Sequence, residues 1–326
     1  MSDQALAPKP AAGPLAEVAQ AAAALGKASK SANTRRAYDG DWRAFRAWSA
    51  EHHLDPLPAA PTTVGLYIAA LGSGAGARSP TTIERALAGI AHQHRMKGLA
   101  FDRRHPAIAD VLAGLKRTKR RPAQQTAALM PPQLRRLLDT CGQDLRGLRD
   151  RSILLLGFTG ALRRSELVGI DVEHLKENRD GYLLTIPWAK TDQEGQGIVL
   201  GIPRGNHADV CPVQAVKEWL HYADIDGGPL FRRVNRWGTV EVDRLSDRAV
   251  ALIVKARAQA AGLSRAEIAT LSGHSLRAGF VTTAYEKDVP EHATQRHARH
   301  KKVETTRRYN RVVSAFKGNP AKGLLE

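Results

Sequence analysis

The sequence predicts a mainly α protein with an N-terminal helical bundle and a mixed α+β domain that is mostly helical with a small antiparallel sheet. The chain has 326 residues, enough for two domains of ordinary size. Apolar residues recur at three- and four-residue steps over most of its length, which is typical of amphipathic helices. β-Branched and apolar residues alternate or cluster at residues 182–188 and 198–202, around turns rich in Gly and Asp, which indicates the sheet.

The first domain is predicted to follow residues 1–32, a leader rich in Ala, Pro and Lys that we expect to be flexible. Asn33 and Thr34 offer an N-cap for the first bundle helix. An aromatic stripe along this helix is expected to form core rather than a base-stacking platform: Tyr38, Trp42, Phe45 and Trp48. Three more segments have helical spacing: residues 62–71, 81–97 and 105–115. Residues 33–117 are therefore predicted to form a small bundle.

The second domain, residues 130–326, is predicted to open with an amphipathic helix after Met130. The apolar run at residues 153–158 indicates a central buried helix that Thr159 and Gly160 end. Beyond the predicted sheet, four segments regain helical spacing: residues 213–222, 245–261, 276–287 and 304–316. This domain is thus expected to be mostly helical with a minor sheet.

The chain is strongly basic. Its 49 Lys and Arg against 32 Asp and Glu give a formal net charge of +17, so a polyanion such as nucleic acid is the expected partner. An anionic membrane would attract the same charge, but no uninterrupted apolar run reaches transmembrane length. The N-terminus lacks a signal-peptide pattern, and Cys141 and Cys211 are too few for a disulfide framework. These features predict a cytoplasmic protein with no membrane contact.

A basic run, KRTKRR, leads from the bundle into a predicted linker at residues 118–129. Its charged residues are Lys116, Arg117, Lys119, Arg120 and Arg121. A solvated charge run is the ordinary interpretation of such a segment. In a protein this basic we favour a linker that lies along DNA phosphates and binds them in a salt-dependent way. Within the bundle, Arg85 and Arg95 are candidates for reading bases in the major groove.

Five short segments carry the residues expected to perform chemistry. In chain order they contain Arg163 in TGALRRSEL, Lys190 in WAKTDQEG, His274 and Arg277 in GHSLRAGF, His300 in ARHKKVETT, and Tyr309 in RRYNR. With this order, and nine residues from His300 to Tyr309, the sequence resembles the tyrosine recombinase, or phage integrase, family. One segment alone would be weak, because Arg-x-x-Glu or His-x-x-Arg arises easily by chance. The complete ordered set is specific, and the resemblance covers most of the chain.

Attack on a DNA phosphodiester accounts for these residue types. A phenol is a poor nucleophile at neutral pH because its ordinary pKa is about 10, and basic surroundings make the phenolate of Tyr309 more accessible. Arg163 and Arg277 can each present a planar fork of donors to the non-bridging oxygens. His274 and His300 can add hydrogen bonds, and His274 can help to take the phenol proton.

The resemblance implies further roles. Tyr309 would form a covalent 3′-phosphotyrosine and Lys190 would protonate the departing 5′ oxygen, so that no ATP, metal or other cofactor is needed. The two domains would clamp double-stranded DNA with paired inverted-repeat sites, and a homotetramer would exchange strands through a Holliday junction. The C-terminal segment would pack into a neighbouring protomer, although packing against its own chain is nearly as well supported.

Other interpretations of the same residues stay open at the level of sequence. A type IB topoisomerase would use this chemistry to relax supercoils as a monomer, and a non-catalytic DNA-binding protein would keep only the fold. Glu166, three residues after Arg163, is expected to orient an arginine or a histidine. Arg299 replaces the glycine of the family's usual Leu-Gly-His pattern, and we expect it to contact a DNA phosphate or to alter the approach to the tyrosine helix. His297 is expected at the surface, and a zinc site in this histidine-containing run is disfavoured because no cysteine or carboxylate completes it.

Overall fold

The structure, a computed structural model, describes residues 14–119, 126–187 and 197–313. The chain divides into two compact units, residues 1–123 and 124–326. Helices dominate both units, and the strands that the structure describes are short and antiparallel. The predicted fold class, mainly α with a small antiparallel sheet, is confirmed.

The described part of the first unit contains five helices. They are α1 (Pro14–Ala28), α2 (Ala32–Glu51), α3 (Pro61–Gly72), α4 (Pro80–Met96) and α5 (Pro106–Thr118). The N-cap of α2 is Ser31, whose hydroxyl accepts a hydrogen bond from the Thr34 backbone N–H at 3.2 Å. Asn33 and Thr34, the predicted cap, therefore lie inside the helix. The predicted flexible leader contains α1, along which Leu15 and Val18 are exposed.

Aromatic and aliphatic side chains form the core of the first unit, as the stripe on α2 predicts. Phe45 is fully buried and its ring lies 5.0 Å from that of Tyr67 on α3. Trp42 and Trp48 pack against the same cluster, so their assignment to the core is confirmed. Helices α3 and α5 approach closely at Gly65, where a Cβ would lie 2.2 Å from the Ala107 carbonyl oxygen.

The described part of the second unit contains nine α-helices and two small sheets. The helices are α6 (Pro131–Asp139), α7 (Leu145–Thr159), α8 (Arg164–Val168), α9 (Pro212–Tyr222), α10 (Asp247–Ala260), α11 (Arg265–Thr270), α12 (Ser275–Glu286), α13 (Glu291–Ala298) and α14 (Val303–Val313). The predicted buried helix at residues 153–158 is confirmed as part of α7, where Ile153 and Leu156 are fully buried. Beside it, Trp219 of α9 is fully buried and donates its indole N–H to the Leu230 carbonyl at 2.8 Å.

Antiparallel strands β1 (Leu175–Glu177), β2 (Gly181–Ile186) and β3 (Ile198–Pro203) form one sheet, in which Leu184 of β2 pairs with Leu200 of β3. Strands β4 (Arg232–Val234) and β5 (Val240–Arg244) form a separate hairpin. The sequence pattern predicts β2 and β3 but misses β1, the hairpin, α11 and α13. These elements are too short to display a clear period.

Candidate active site

Arg163 lies just before α8 and is held by Glu166 of that helix. The Glu166 carboxylate accepts a hydrogen bond from the Arg163 backbone N–H at 2.9 Å and a second from its guanidinium Nη1. The Arg163 Nη2 donates to the Arg299 carbonyl at 3.1 Å. Glu166 is buried, and it fixes the arginine through the start of the helix as well as through the side chain.

Arg277 projects from α12 into the interior, where it is 1% exposed. Its Nη1 donates to the Ala161 carbonyl at 2.7 Å, while its Nη2 has no hydrogen-bond partner in the described part of the chain. Helix α12 packs closely against the segment that carries Leu129 because Gly279 has no side chain. A Cβ at Gly279 would lie 2.0 Å from the Leu129 carbonyl oxygen. His274, at the N-cap of α12, is exposed at the surface of the site.

His300 lies in the segment that joins α13 to α14, and Tyr309 lies on α14. The two rings are nearly parallel, 4° apart in orientation, with centroids separated by 6.0 Å. His300 Nδ1 lies 2.8 Å from the Thr306 hydroxyl, one turn before Tyr309 on α14. Tyr309 also packs against the small cluster of Ala161, Val281 and Ala298. No hydrogen bond to the Tyr309 hydroxyl is made by a residue that the structure describes.

Burial and the nearby arginine charges shift the pKa values of the histidines and the glutamate in the site. Burial first, and then the charges of Arg277 and Arg163, lower the pKa of His300 to about 3, so its ring is uncharged at neutral pH. Desolvation and the same two charges also lower the pKa of His274. Burial tends to raise the pKa of Glu166, but the Arg299 and Arg163 guanidiniums outweigh it and the pKa lies below its ordinary value. The site is therefore a cationic pocket with one buried anion.

Most of the predicted chemical residues lie together in this pocket. It contains Arg163, Glu166, His274, Arg277, His300 and Tyr309. Lys190 lies outside the described residues. Within the described ranges, no group of three or more His, Cys, Asp or Glu is arranged to hold a metal ion.

Two neighbours of the site lie where the sequence did not predict them. Arg299 is buried, with its terminal nitrogens bonded to Glu166 and to backbone carbonyls, so neither of them is free to contact a DNA phosphate. His297 is half-buried rather than on the surface, because its Nε2 lies 2.8 Å from the Thr159 carbonyl and its ring stacks on Phe280. Sequence reasoning also missed Thr306, although its place three residues before Tyr309 puts both on one helix face.

Among the predicted DNA-contacting residues, Lys116 pairs with Glu84 and Arg117 is exposed. Arg85 is committed to Asp41 through two hydrogen bonds of 2.9 Å. Arg95 lies beside His92, with 3.1 Å between the guanidinium Nη2 and the ring Nδ1. Of the basic run, Lys119 is half-buried, whereas Arg120 and Arg121 lie outside the described residues. None of the described helices is both long and apolar enough to cross a membrane.

Comparisons with known proteins give a family assignment. The model described as the phage integrase family matches residues 128–315. The chain is 36% identical over 297 residues to an integrase/recombinase xerD homolog of Selenomonas ruminantium, covering 89% of this chain and 85% of that protein. It is 31% identical over 312 residues to a tyrosine recombinase of Synechococcus elongatus, covering 91% of this chain and 90% of that one.

Two solved structures share the fold. A lambda integrase dimer bound to a COC′ core site superposes with a TM-score of 0.57 at 14% identity, covering 91% of this chain and 76% of that one. The XerH recombinase in its post-cleavage complex with a palindromic difH substrate gives a TM-score of 0.55 at 16% identity, covering 80% of this chain and 72% of that one. At these identities the similarity shows a shared fold and nothing further.

Proposed function

Because the chain belongs to the phage integrase family and is a tyrosine-type site-specific recombinase, we propose that Tyr309 is its nucleophile. In the proposed step, Tyr309 Oη attacks the scissile phosphorus, the bond from phosphorus to the 5′ oxygen breaks, and a 3′-phosphotyrosine and a 5′-hydroxyl result. The ester retains the energy of the broken bond, so a 5′-hydroxyl from the partner strand can reverse the attack without ATP. Two pairwise exchanges then pass through a Holliday junction.

The unpaired donor of Arg277 carries this proposal. The guanidinium is 1% exposed and its Nη2 has no partner among the described residues. Leaving a buried donor unpaired costs about 1–3 kcal/mol, and more for a charged group, so an arginine in this state is expected where a ligand brings the acceptor. A phosphate oxygen suits a planar guanidinium, and Arg163 would supply the second fork of donors as negative charge develops in the transition state.

The two histidines and the lysine account for the protons. We assign His274 as the group that takes the phenol proton, because its lowered pKa leaves it uncharged near neutral pH. His300 is also uncharged, with its pKa at about 3, and Thr306 engages its Nδ1. Its Nε2 is then left for a phosphate oxygen or the attacking phenol. Lys190, by the family resemblance, would give the 5′ oxygen its proton.

We propose that residues 33–117 bind the core of the DNA site, residues 130–326 perform catalysis and residues 118–129 link them along the phosphates. The two domains would close around duplex DNA with paired inverted-repeat sites. Support for this substrate comes from the palindromic site held by XerH. Double-stranded DNA as the proposed substrate, together with relatives from bacteria, favours a reaction in the bacterial cytoplasm.

Four protomers on two sites are the proposed assembly. A lambda integrase tetramer bound to a Holliday junction has this fold, with a TM-score of 0.54 at 16% identity over 90% of this chain and 75% of that one. An apolar groove of about 540 Å³ on the second unit, with Phe158 and Phe280 in its lining, is the proposed contact surface. Thr283 and Thr294 line it with buried hydroxyls that have no hydrogen-bond partner among the residues that the structure describes, and such hydroxyls suit an entering peptide backbone. We propose that residues 314–326 of a neighbouring copy enter it, since they carry Phe316, Leu324 and Leu325.

A truncated chain that ends at Val313 tests this assembly. It should bind and cleave a single site but fail to form a four-protomer complex on two sites, as measured by light scattering on DNA. A tetramer that forms undiminished without residues 314–326 would instead support packing of the tail within its own chain.

A covalent-adduct assay tests the chemistry. Binding sites are first selected from a random duplex library with the purified protein, and a nicked suicide substrate is then built from the selected sequence. Wild-type protein should form a denaturation-resistant adduct, whereas Tyr309→Phe should form none and still bind the DNA. The matched control is Tyr222→Phe, which removes the hydroxyl of a tyrosine that is 64% exposed and should leave the adduct unchanged. Adduct formation by Tyr309→Phe would refute the assignment.

The adduct assay separates the recombinase from the non-catalytic interpretation only, because a type IB topoisomerase would also form a covalent tyrosine adduct. Relaxation of supercoiled DNA without recombinant products would identify the topoisomerase. The relatives and solved structures described above are recombinases and integrases, which leaves the topoisomerase alternative without support. A non-catalytic DNA-binding protein would form no adduct in any variant.

A further inference from the structure

We propose that Arg299 is a positioning residue that aligns Arg163 and Arg277 for a single phosphate, an inference that rests on the proposed function. Arg299 bonds two groups that these arginines also use, the Glu166 carboxylate and the Ala161 carbonyl. Its role is therefore distinct from that of a phosphate-binding residue.

The Arg299 side chain is 2% exposed and bonds to two segments near the site. Its Nη2 donates to Glu166 Oε2 and to the Ala161 carbonyl, both at 2.9 Å, and its Nη1 donates to the Gly160 carbonyl at 3.1 Å. These contacts tie α8 to the turn between α7 and α8.

Each of the two arginines proposed to bind the phosphate shares a hydrogen-bond acceptor with Arg299. Arg277 Nη1 donates to the Ala161 carbonyl that Arg299 also bonds. Arg163 shares the Glu166 carboxylate with Arg299 and also donates to the Arg299 backbone carbonyl. One residue thus fixes the acceptor of one catalytic arginine and the counter-ion of the other.

The backbone of Arg299 supports the view that its side chain is needed. Its φ of 54° and ψ of 46° lie in the left-handed region at the end of α13, where a Cβ is disfavoured and glycine is the easiest residue. A chain that keeps arginine here accepts local strain, and the buried contacts of the guanidinium are the compensation that the structure offers.

A glycine substitution tests the guanidinium of Arg299 without disturbing its left-handed backbone. Arg299→Gly removes the guanidinium and relaxes the backbone at once, so the loop before His300 should keep its path. Misplacing a catalytic group by about 1 Å can cost on the order of 10²-fold in rate. We therefore expect the first-order cleavage rate of Arg299→Gly, at saturating protein, to fall by about 10- to 100-fold, with DNA affinity within about 3-fold of wild type. Arg299→Lys should recover part of the rate, because an ammonium can pair with Glu166 but cannot bond several acceptors as a planar fork.

An uncharged analogue of the scissile phosphate gives a measurement that a general loss of structure would not change: the ratio of the cleavage-rate defects on the two substrates. A suicide substrate with a methylphosphonate at the scissile position carries no charge there. Its cleavage therefore depends less on charge neutralisation by the two guanidiniums. If Arg299 acts by aligning them, the rate defect of Arg299→Gly should be at least several-fold smaller on this substrate than on the phosphate. The matched control is Arg257→Ala, which removes an arginine bonded to Asp150 and the Thr140 carbonyl and should leave the cleavage rate of folded protein unchanged.

The outcomes are distinguishable. Arg299→Gly cleaving within about 3-fold of wild type, or showing the same defect on both substrates, would overturn the positioning role and leave the function of Tyr309 intact. An adduct formed by Tyr309→Phe would instead overturn the proposed function. If Arg299→Gly does not fold, Arg299→Lys is tested in its place. Its cleavage rate on the phosphate substrate must be lower than that of wild type, and this rate defect must be smaller on the methylphosphonate substrate.

Discussion

The buried anion of the site offers a quantitative test. Replacing Glu166 with glutamine keeps the side-chain volume and removes its charge. In the folded chain this carboxylate, 2% exposed, faces the guanidiniums of Arg163 and Arg299. Burial and then the charges of those two arginines lower the pKa of Arg277 to about 9, and Glu166 partly opposes that lowering. The substitution would leave all three cations without a buried counter-charge.

Removing one partner of a buried ion pair typically costs about 3–5 kcal/mol. Glu166 belongs to the unit of residues 124–326, and for a domain of that size 1 kcal/mol corresponds to a shift of about 2–4 °C in Tm. Glu166→Gln should therefore lower Tm by about 6–20 °C. Thermal melting followed by circular dichroism at neutral pH measures the shift. Its control, Glu291→Gln, breaks an exposed pair with Arg307 and should cost at most about 1 kcal/mol.

The pH dependence gives a second check with a defined sign. The folded-state pKa of Glu166 lies below its ordinary value of 4.5, so its stabilising contribution is fully present above about pH 4.5 and is lost as pH falls through the folded pKa. The Tm difference between wild type and Glu166→Gln should thus be constant near neutrality and shrink at acidic pH. A Tm loss below about 2 °C, or less than about 1 kcal/mol, would refute the idea that this carboxylate neutralises the cationic pocket.

Three further outcomes are expected. Burial and arginine charges lower the pKa of His300 from 6.5 to about 3, so between those pH values the unfolded chain binds a proton that the folded chain excludes. As pH falls through that window, urea unfolding should show wild type losing stability relative to His300→Asn by up to about 1.4 kcal/mol per pH unit; parallel curves would contradict this. Gly279→Ala would put a Cβ 2.0 Å from the Leu129 carbonyl oxygen and should cost about 1–3 kcal/mol in thermal melts, whereas Gly201→Ala, with open space around its Cβ, is the control and a similar loss there would argue against a steric cause. Arg117→Gln should reduce the slope of log binding constant against log salt concentration by about 1 in DNA titrations, and an unchanged slope would exclude a phosphate contact.

The long helices could be predicted because each is amphipathic over several turns. Helix α2 is one example: its aromatic residues repeat at helical steps, and Trp42, Phe45 and Trp48 pack in the core of the first unit. The hairpin of β4 and β5 and the six-residue α11 lack that signal. Elements this short are stabilised by contacts with distant parts of the chain, and such contacts leave no local period in the sequence.

The kinds of chemical residue were also predictable, because phosphoryl transfer by a tyrosine favours guanidiniums and a proton acceptor. The nine-residue step from His300 to Tyr309 was instead part of the family resemblance. The orientation of their neighbours was not. Arg299 looks in the sequence like one more basic residue of a DNA-binding run, yet it is buried on Glu166. His297 looks peripheral for the same reason, yet its ring stacks on Phe280.

By itself, the sequence predicted the fold class from periodicity and a polyanionic partner from net charge, and the ordered set from Arg163 to Tyr309 came from its resemblance to the tyrosine recombinase family. The tertiary structure alone decided which cations face the pocket and which support it from beneath. That choice depends on where acceptors from distant segments lie, such as the Ala161 carbonyl and Glu166 beside Arg299. It is a property of the folded chain, because a buried guanidinium is stable only where several acceptors converge on it.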